Sequence, residues 1–219
     1  MKEYPKIQTV FKRNPNDNFK SLLIGKYSLP EFEYLKNNEW IFTEKIDGTN
    51  IRVIWQSKEI SFKGKTDNAE IPKFLLEKLN QIFMPLKDIF NNISPGDMCL
   101  YGEGYGARIQ KGGENYIKND VGFILFDVKI EFWWLERKDI EDIAKKLNIQ
   151  TVPIIGNGTL DDMINITQKG FNSVFGDFIA EGIVARSKTE LCTRAGQRII
   201  TKIKHKDFTN KLEELKCLK

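Results

Sequence analysis

The sequence has one histidine and three widely separated cysteines. A Ser-His-Asp centre or a metal site with several histidine ligands would depend on His205 alone, so the sequence disfavours both classes. The cysteines, Cys99, Cys192 and Cys217, are odd in number and match no metal-ligand spacing. They therefore indicate neither a disulfide framework nor a zinc site.

Long apolar runs are also absent. No stretch approaches the roughly 18 consecutive apolar residues that a membrane span needs, and residues 1–20 lack the apolar core of a signal peptide. Of the residues, 41% are hydrophobic and 29% are charged, which is typical of a soluble globular protein. We therefore expect a cytoplasmic protein with no membrane association.

Charge of either sign shows little excess, with 34 basic and 30 acidic residues and a net charge of +4. The distribution is more informative, because residues 201–211 (TKIKHKDFTNK) are strongly basic and FKGK at 62–65 adds two lysines. Such patches fit a polyanionic partner. A solvated lysine-rich face is the competing interpretation.

No repeat or Pro/Gly/Ser linker divides the chain, so we expect a single domain over residues 1–219. Alternating apolar residues and turn signals predict strands, and apolar residues at helical spacing predict helices. We expect two strands within 39–55 that are joined by a turn at Asp47-Gly48, and a glycine-rich loop at the end of 98–106. The other predicted strands lie within 59–65, 121–130, 151–155, 178–187 and 197–206, and the predicted helices within 72–91, 137–149, 159–170 and 207–218.

Two helix predictions include specific detail. Pro85 should kink or divide the helix at 72–91, because proline lacks the backbone donor that a helix interior needs. Thr159 and Asp162 have capping-box spacing, and Gly170 should end that helix. The pattern as a whole predicts an α+β fold of two packed, mostly antiparallel sheets flanked by helices.

The segment Lys45-Ile46-Asp47-Gly48 at the end of a predicted strand is the most distinctive local motif. A lysine acts as a covalent nucleophile only when its amine is uncharged, which partial burial or nearby positive charge favours. By itself, this segment would be an ordinary turn.

Other segments follow it in a recognisable order: FKGKT at 62–66, YGEGYG at 101–106, FILFDV at 123–128, AEGIVAR at 180–186 and TKIK at 201–204. Together with Lys45-Ile46-Asp47-Gly48 they resemble the ordered motifs of the covalent nucleotidyltransferase superfamily, which contains DNA ligases, RNA ligases and mRNA capping enzymes. The resemblance extends over about residues 40–206. It implies an adenylyltransferase domain with an ATP-grasp-like ligase core.

Within that superfamily, the chain looks most similar to phage-type RNA ligases that seal nicks in duplex RNA. Asn50 lies five residues after Lys45, where this branch has asparagine and DNA ligases usually have arginine. The segment TEKIDGTN at 43–50 and the compact N-terminal region agree with the same branch.

The resemblance implies a role for each matching residue. Lys45 would attack the α-phosphorus of ATP, with Asp47 and Gly48 shaping the turn that presents it. Glu44 and Asn50 would belong to the nucleotide-binding set, although a polar strand residue is an equally simple interpretation of Asn50.

Glu103 would bind a ribose hydroxyl, since a carboxylate accepts such hydrogen bonds strongly. A simple glycine-rich turn competes with that role. Phe123 would stack on adenine, and a core phenylalanine is an equal alternative. Glu181 would hold Mg²⁺ or Mn²⁺, because magnesium commonly uses one or two carboxylates together with phosphate oxygens. A solvent-facing strand glutamate is the alternative.

Lys202 and Lys204 alternate along a predicted strand, so both should lie on one face. There they would bind the ATP phosphates and favour the uncharged amine of Lys45, whereas two exposed strand lysines are the alternative. Lys65, together with Lys63, would belong to the nucleotide-binding set, at a position where the family often has arginine. Arg52 is a weaker candidate for contact with phosphate or nucleic acid.

The implied reaction is lysine self-adenylylation with ATP, transfer of AMP to a 5′-phosphate, and sealing with a 3′-hydroxyl. The expected partner is RNA with such ends, and we expect a monomer. Related nick-sealing ligases continue into a separate C-terminal domain that engages the nucleic acid, and we see no such domain in this sequence. The resemblance therefore supports self-adenylylation more directly than strand sealing. A DNA ligase, a GTP-dependent capping-type core and a catalytically weak nucleic-acid-binding module remain alternatives.

Overall fold

The computed structural model describes residues 2–209. The predicted helix at 207–218 lies mostly outside the described residues. Positions 206–209 are helical. Within the described part, the chain forms two compact units, one from residues 6–45 and 153–209 and the other from residues 2–5 and 46–152.

The strands follow one another along the chain in both units. They are β1 (Gln8–Thr9), β2 (Phe11–Arg13), β3 (Leu22–Tyr27), β4 (Trp40–Glu44), β5 (Thr49–Gln56), β6 (Glu59–Lys63), β7 (Met98–Gly106), β8 (Val121–Ile130), β9 (Trp133–Trp134), β10 (Gln150–Thr151), β11 (Ile154–Gly158), β12 (Gly182–Ser187) and β13 (Ile200–Lys204). The α-helices are α1 (Pro30–Tyr34), α2 (Lys73–Phe83), α3 (Lys87–Ile93), α4 (Arg137–Lys146) and α5 (Leu160–Lys169).

The first unit, which we call the five-stranded unit, contains a sheet in the order β1-β13-β12-β4-β11. Its pairs are antiparallel except for β1 with β13. Buried and partly exposed side chains alternate along β4 and β13, so one face of the sheet packs into the core. That core contains Trp40 and Phe42 of β4 with Leu160 and Met163 of α5.

The second unit, the six-stranded unit, has the order β10-β8-β7-β5-β6, with β9 paired to β8. Only β10 pairs with β8 in parallel among its strand pairs in the described residues. One face of the sheet packs against α2 and α4 through an apolar cluster that includes Val53, Leu79, Leu100 and Ile140.

Several local predictions are confirmed. The helix predicted over 72–91 divides at Pro85, with a 3₁₀ turn (Met84–Leu86) between α2 and α3. Thr159 and Asp162 form a reciprocal capping box at the start of α5, and Gly170 ends that helix with φ of 79°. The α+β fold class is also confirmed, with a further two-stranded sheet of β2 and β3.

Three predictions of connectivity are wrong. Strands β4 and β5 do not form a hairpin at Asp47-Gly48, because they belong to different sheets. The glycines of 101–106 lie inside β7 rather than in a loop. The strand predicted at 151–155 is two strands, β10 and β11, on either side of Pro153. That the two units act as one adenylyltransferase domain stays a prediction.

Candidate active site

Lys45, Glu181 and Lys204 meet in the five-stranded unit, where three neighbouring strands come to an end. Lys45 follows β4, Glu181 precedes the central strand β12, and Lys204 is the last residue of β13. The registers bring these ends level, because Ile183 pairs with Glu44 and Gly182 pairs with Lys204. Strand pairing thus places Glu181 and Lys204 next to Lys45.

The carboxylate of Glu181 bridges the two lysines. Its Oε2 lies 2.5 Å from Nζ of Lys45, and its Oε1 lies 2.5 Å from Nζ of Lys204. The Glu181 side chain is 9% exposed, against 19% for Lys45 and 24% for Lys204. Each lysine side chain is therefore shielded from much of the solvent without being fully buried.

Backbone hydrogen bonds hold this arrangement on both sides. The amide of Lys45 donates to the carbonyl of Gly182 at 2.9 Å, and the amide of His205 donates to the carbonyl of Glu181 at 2.9 Å. A Cβ at Gly182 would lie 2.1 Å from the carbonyl oxygen of Ile203. Glycine is therefore required for β12 and β13 to approach so closely beside Glu181.

Lys202 lies on the same face of β13 as Lys204. Between them and before them, Ile203 and Thr201 are fully buried, while the two lysines are partly exposed. The face of β13 opposite the core thus carries both lysines, with Lys202 paired to Val184 and Lys204 paired to Gly182. Two or more ammonium groups on one face can bind the oxygens of a polyphosphate.

Glu44 lies on the other face of β4 from Lys45. It is 1% exposed, and its carboxylate accepts hydrogen bonds from Oγ of Ser173 at 2.5 Å and from the amide of Val174 at 2.9 Å. The structure does not bring the Glu44 carboxylate together with Lys45. Its predicted role in nucleotide binding stays a prediction that this burial disfavours.

In the six-stranded unit, Asn50 of β5 and Glu103 of β7 are direct cross-strand partners. Their side chains therefore share one face of the sheet at close range. Oδ1 of Asn50 is buried and, within residues 2–209, has no hydrogen-bond partner. Because a buried acceptor without a donor is costly, this pair is suited to a ligand that supplies hydroxyl or amide donors.

The turn after Lys45 packs against Glu103. A Cβ at Gly48 would lie 2.3 Å from the carbonyl oxygen of Gly104 and 2.7 Å from Cγ of Glu103, so only glycine fits. Hydroxyl and amide groups from a later loop support the turn: the amide of Asp47 donates to the Tyr116 hydroxyl at 3.3 Å, and Nε2 of Gln110 donates to the Gly48 carbonyl at 3.1 Å.

Phe123 lies in the core of the six-stranded unit. It is 5% exposed, and its ring packs edge-on against Phe83 of α2 with 5.2 Å between centroids. Since Ile124 is the cross-strand partner of Glu103, Phe123 and Glu103 stand on opposite faces of the sheet. The structure thus separates Phe123 from the Asn50–Glu103 pair, and its burial disfavours the predicted stacking on adenine.

Arg52 corrects one hypothesis outright. Its side chain is fully buried, with Nε donating to the Gly64 carbonyl at 3.0 Å and a terminal nitrogen bonded to Oδ1 of Asp67 at 2.8 Å. It is thus unable to reach a phosphate or nucleic acid. Instead it supports the turn at 64–67, on which Lys65 is exposed. The guanidinium hydrogen bond also holds the pKa of Asp67 below its usual value.

The described residues fit a divalent cation only if a substrate supplies some of its ligands. Within residues 2–209 no group of three or more His, Cys, Asp or Glu side chains could hold a metal ion. Glu181 offers a single carboxylate near the predicted phosphate-binding lysines, and Mg²⁺ is commonly held by one or two carboxylates together with substrate phosphates. The residues present therefore fit a cation that arrives with a nucleotide.

The supporting residues of both sites could not be identified from the sequence. Ser173, Tyr116 and Gln110 contact the segment around Lys45 from distant parts of the chain, and no local pattern marks them. One local signal does indicate the position of Glu44: Trp40 and Phe42 alternate with it, so period-two spacing places Glu44 on the apolar face.

None of the helices in the described part of the chain has the length and apolar character that a membrane span requires.

Comparisons with known proteins agree with the geometry. A family model described as RNA ligase matches residues 38–204. The fold is similar to that of a Naegleria gruberi RNA ligase mutant solved with ATP and Mn, at a TM-score of 0.65 and 18% identity, covering 96% of this chain and 59% of that chain. The same protein solved with PPi gives a TM-score of 0.65 at 19% identity, covering 97% of this chain and 60% of that chain.

A further mutant of that protein, solved with AMP and Mn, gives a TM-score of 0.64 at 18% identity and covers 95% of this chain. At such identities the likeness establishes a shared fold. This chain spans about three fifths of the length of the structures that it matches.

Proposed function

Since this chain belongs to the RNA ligase family, we propose that it is an ATP-dependent RNA ligase that carries AMP on Lys45. The observation that best supports the proposal is the Glu181 carboxylate between Lys45 and Lys204, at 2.5 Å from each amine. It gathers one candidate nucleophile, one candidate cation ligand and one candidate phosphate ligand at the ends of adjacent strands.

In the first step, the uncharged amine of Lys45 attacks the α-phosphorus of ATP. A nitrogen–phosphorus bond forms, the bond from the α-phosphorus to the bridging oxygen breaks, and pyrophosphate leaves. The nitrogen loses one proton to solvent and keeps the other in the phosphoramidate. Lys202 and Lys204 bind phosphate oxygens and stabilise the negative charge that develops there.

In the second step, an oxygen of a terminal 5′-phosphate attacks the AMP phosphorus and frees the Lys45 amine. The product is a 5′–5′ pyrophosphate linkage between AMP and the nucleic acid. In the third step, a 3′-hydroxyl attacks the 5′-phosphate, loses its proton to solvent and displaces AMP. All three steps depend on in-line positioning rather than on a histidine base.

The remaining predicted residues would orient the nucleotide. Glu103 would accept hydrogen bonds from ribose hydroxyls, and Asn50, with its unmet buried oxygen, would accept a donor from the ligand. Glu181 would bind Mg²⁺ or Mn²⁺ together with phosphate oxygens, and the cation would supply positive charge that neutralises the polyphosphate. We also propose that Lys65 contacts phosphate, and that the protein works as a monomer in the cytoplasm.

Substrate choice is tested with α-labelled ATP or GTP, Mg²⁺ and matched duplexes that carry an RNA nick or a DNA nick. The proposal predicts an AMP adduct with ATP, sealing of the RNA nick, and loss of both in Lys45→Ala. An adduct with GTP alone would identify a capping-type core, and preferential sealing of DNA would identify a DNA ligase. If well-folded protein forms no adduct with either nucleotide, the enzyme proposal fails in favour of a binding module.

A further inference from the structure

Within residues 2–209, the Glu44 carboxylate accepts hydrogen bonds from a single segment of the five-stranded unit, residues 171–180, which we call the anchor loop. One oxygen accepts from Oγ of Ser173 at 2.5 Å and the other accepts from the amide of Val174 at 2.9 Å. Ser173 is 7% exposed, so these contacts are shielded from water. A carboxylate at 1% exposure needs such donors, because burial of an unpaired charge is costly.

The anchor loop is closed on itself around Ser173. The amide of Ser173 donates to the carbonyl of Phe178 at 2.8 Å, and the amide of Ala180 donates to the carbonyl of Phe171 at 2.9 Å. Oγ of Ser173 also accepts from the amide of Phe175 at 3.1 Å. These hydrogen bonds therefore connect the position of Ser173 to that of Ala180, which directly precedes Glu181.

Apolar packing holds the two ends of this loop, because Phe171 packs against the core of the unit and Ala180 is 1% exposed. Between these ends the packing is weaker. Val174 is 64% exposed and Ile179 is 51% exposed. Segments with few buried apolar contacts open locally at low free-energy cost. The hydrogen bonds to Glu44 thus restrain the loop at Ser173 and Val174, between ends that apolar packing holds.

We propose that Glu44 is a positioning residue that, together with the pairing of β12 to β4 and β13, sets the placement of Glu181 beside Lys45. Strand β4 contacts this part of the chain from both faces, through Glu44 to the anchor loop on one face and through Lys45 to Glu181 on the other. The Glu44 carboxylate lies on the opposite face from the Lys45 amine, bonded to Ser173 and Val174, and acts through the loop. The inference rests on the proposed function, because its effect is expressed in self-adenylylation.

The test compares Glu44→Ala, Glu44→Gln and Asn172→Ala for self-adenylylation at saturating ATP over a range of Mg²⁺ concentrations. Glu44→Ala should lower the maximal rate about tenfold or more, since small displacements of reacting groups are costly, and should raise the Mg²⁺ concentration at half-maximal rate. Glu44→Gln keeps an acceptor for the Val174 amide and should restore the rate to within about threefold of wild type.

Asn172→Ala is the matched control. It removes the hydrogen bond from Nδ2 of Asn172 to Oδ1 of Asp177 at 2.9 Å, within the same loop but away from Glu44. It should leave both the rate and the Mg²⁺ dependence near wild type. Ser173→Ala, which retains the Val174 contact, is a milder second variant if Glu44→Ala fails to fold, and it should give an intermediate rate.

Hydrogen exchange of the amides at 173–181 provides a readout that does not require activity. Exchange should accelerate in Glu44→Ala and stay near wild type in Glu44→Gln and Asn172→Ala. Equal rates and equal exchange in Glu44→Ala and wild type would overturn the inference, as would equal loss in Glu44→Ala and Asn172→Ala. A wild-type protein without any adduct would sink the proposed function instead, and the exchange result alone would then decide whether Glu44 holds the loop.

Discussion

The amine of Lys45 and the carboxylate of Glu181 lie 2.5 Å apart although 136 residues separate them in the sequence. Pairing of β12 with β4 brings the two together, and the Lys45 amide bonded to the Gly182 carbonyl continues that pairing beyond the strand. Because Glu181 contacts Lys204 with its other oxygen, a change at this one carboxylate alters the surroundings of both amines.

Glu181→Gln should lower the rate of self-adenylylation about hundredfold, which is typical for removal of one preorganised electrostatic contact. The amide preserves the shape of the side chain but loses the negative charge that would hold the divalent cation and that pairs with Lys204. Single-turnover assays with labelled ATP measure the rate. Glu190→Gln, which changes a carboxylate paired with Arg186 at 3.6 Å in the same unit, should stay within about threefold of wild type. Equal rates for both variants would contradict the role of Glu181.

Glu103→Ala should reduce discrimination between ATP and its 2′,3′-dideoxy analogue. A hydrogen bond to a charged group contributes about 1.5–3 kcal/mol, so the ratio of kcat/KM values for the two nucleotides should fall about tenfold or more. Glu70→Ala, at an exposed position in the same unit, should leave the ratio unchanged. An unchanged ratio in Glu103→Ala would show that this carboxylate does not bind the ribose.

Arg52→Met should destabilise the protein, since it leaves the buried Gly64 carbonyl without its donor. An unsatisfied buried polar group costs about 1–3 kcal/mol. Urea denaturation measures the loss, and Lys63→Met on the neighbouring strand should change stability by about 0.5 kcal/mol or less. Comparable losses in the two variants would argue against a special role for the buried guanidinium.

The stability difference between wild type and Arg52→Met should also depend on pH. The Arg52 hydrogen bond lowers the pKa of Asp67 from 3.8. A lowered folded pKa contributes stability above the unfolded pKa and loses it as pH falls through the folded value. The difference should therefore narrow below about pH 4, and a difference that widens there would contradict the ion pair.

Cys99 should resist alkylation in the native protein. Burial raises the pKa of its thiol from 9.0 to about 11, so almost none is thiolate at pH 8, and the thiolate is the reactive form. Cys192 is exposed and should react. Peptide mass analysis after iodoacetamide treatment distinguishes the two, and urea should expose Cys99 to the reagent. Equal labelling of both cysteines in native buffer would contradict the burial of Cys99.

Much of the local structure followed from the sequence because it depends on neighbouring residues. Pro85 divides its helix through a missing backbone donor, and Thr159 with Asp162 caps α5 through contacts three residues apart. The Asp47-Gly48 turn was predicted to join a hairpin, but it connects strands of different sheets. Turn residues indicate where a strand ends, whereas the partner of the next strand is determined by packing across the whole sheet.

In the candidate site, too, local patterns are predicted better than long-range contacts. Ordered motifs identified Lys45, Glu181 and Lys204, and the structure brings these three together. Motif matching assigned Phe123 and Arg52 to ligand contacts although both are buried, because a motif does not state which face of a strand a side chain occupies. The anchor loop at 171–180 carries no motif at all, and only tertiary contacts reveal its link to Glu44.

Peptide mass analysis after incubation with ATP and Mg²⁺ shows whether AMP becomes attached to Lys45. We expect an AMP-modified peptide that contains Lys45, an acid-labile nitrogen–phosphorus bond, and no such peptide in Lys45→Ala. AMP found on a different lysine, or an adduct that persists in Lys45→Ala, would rule out Lys45 as the nucleophile.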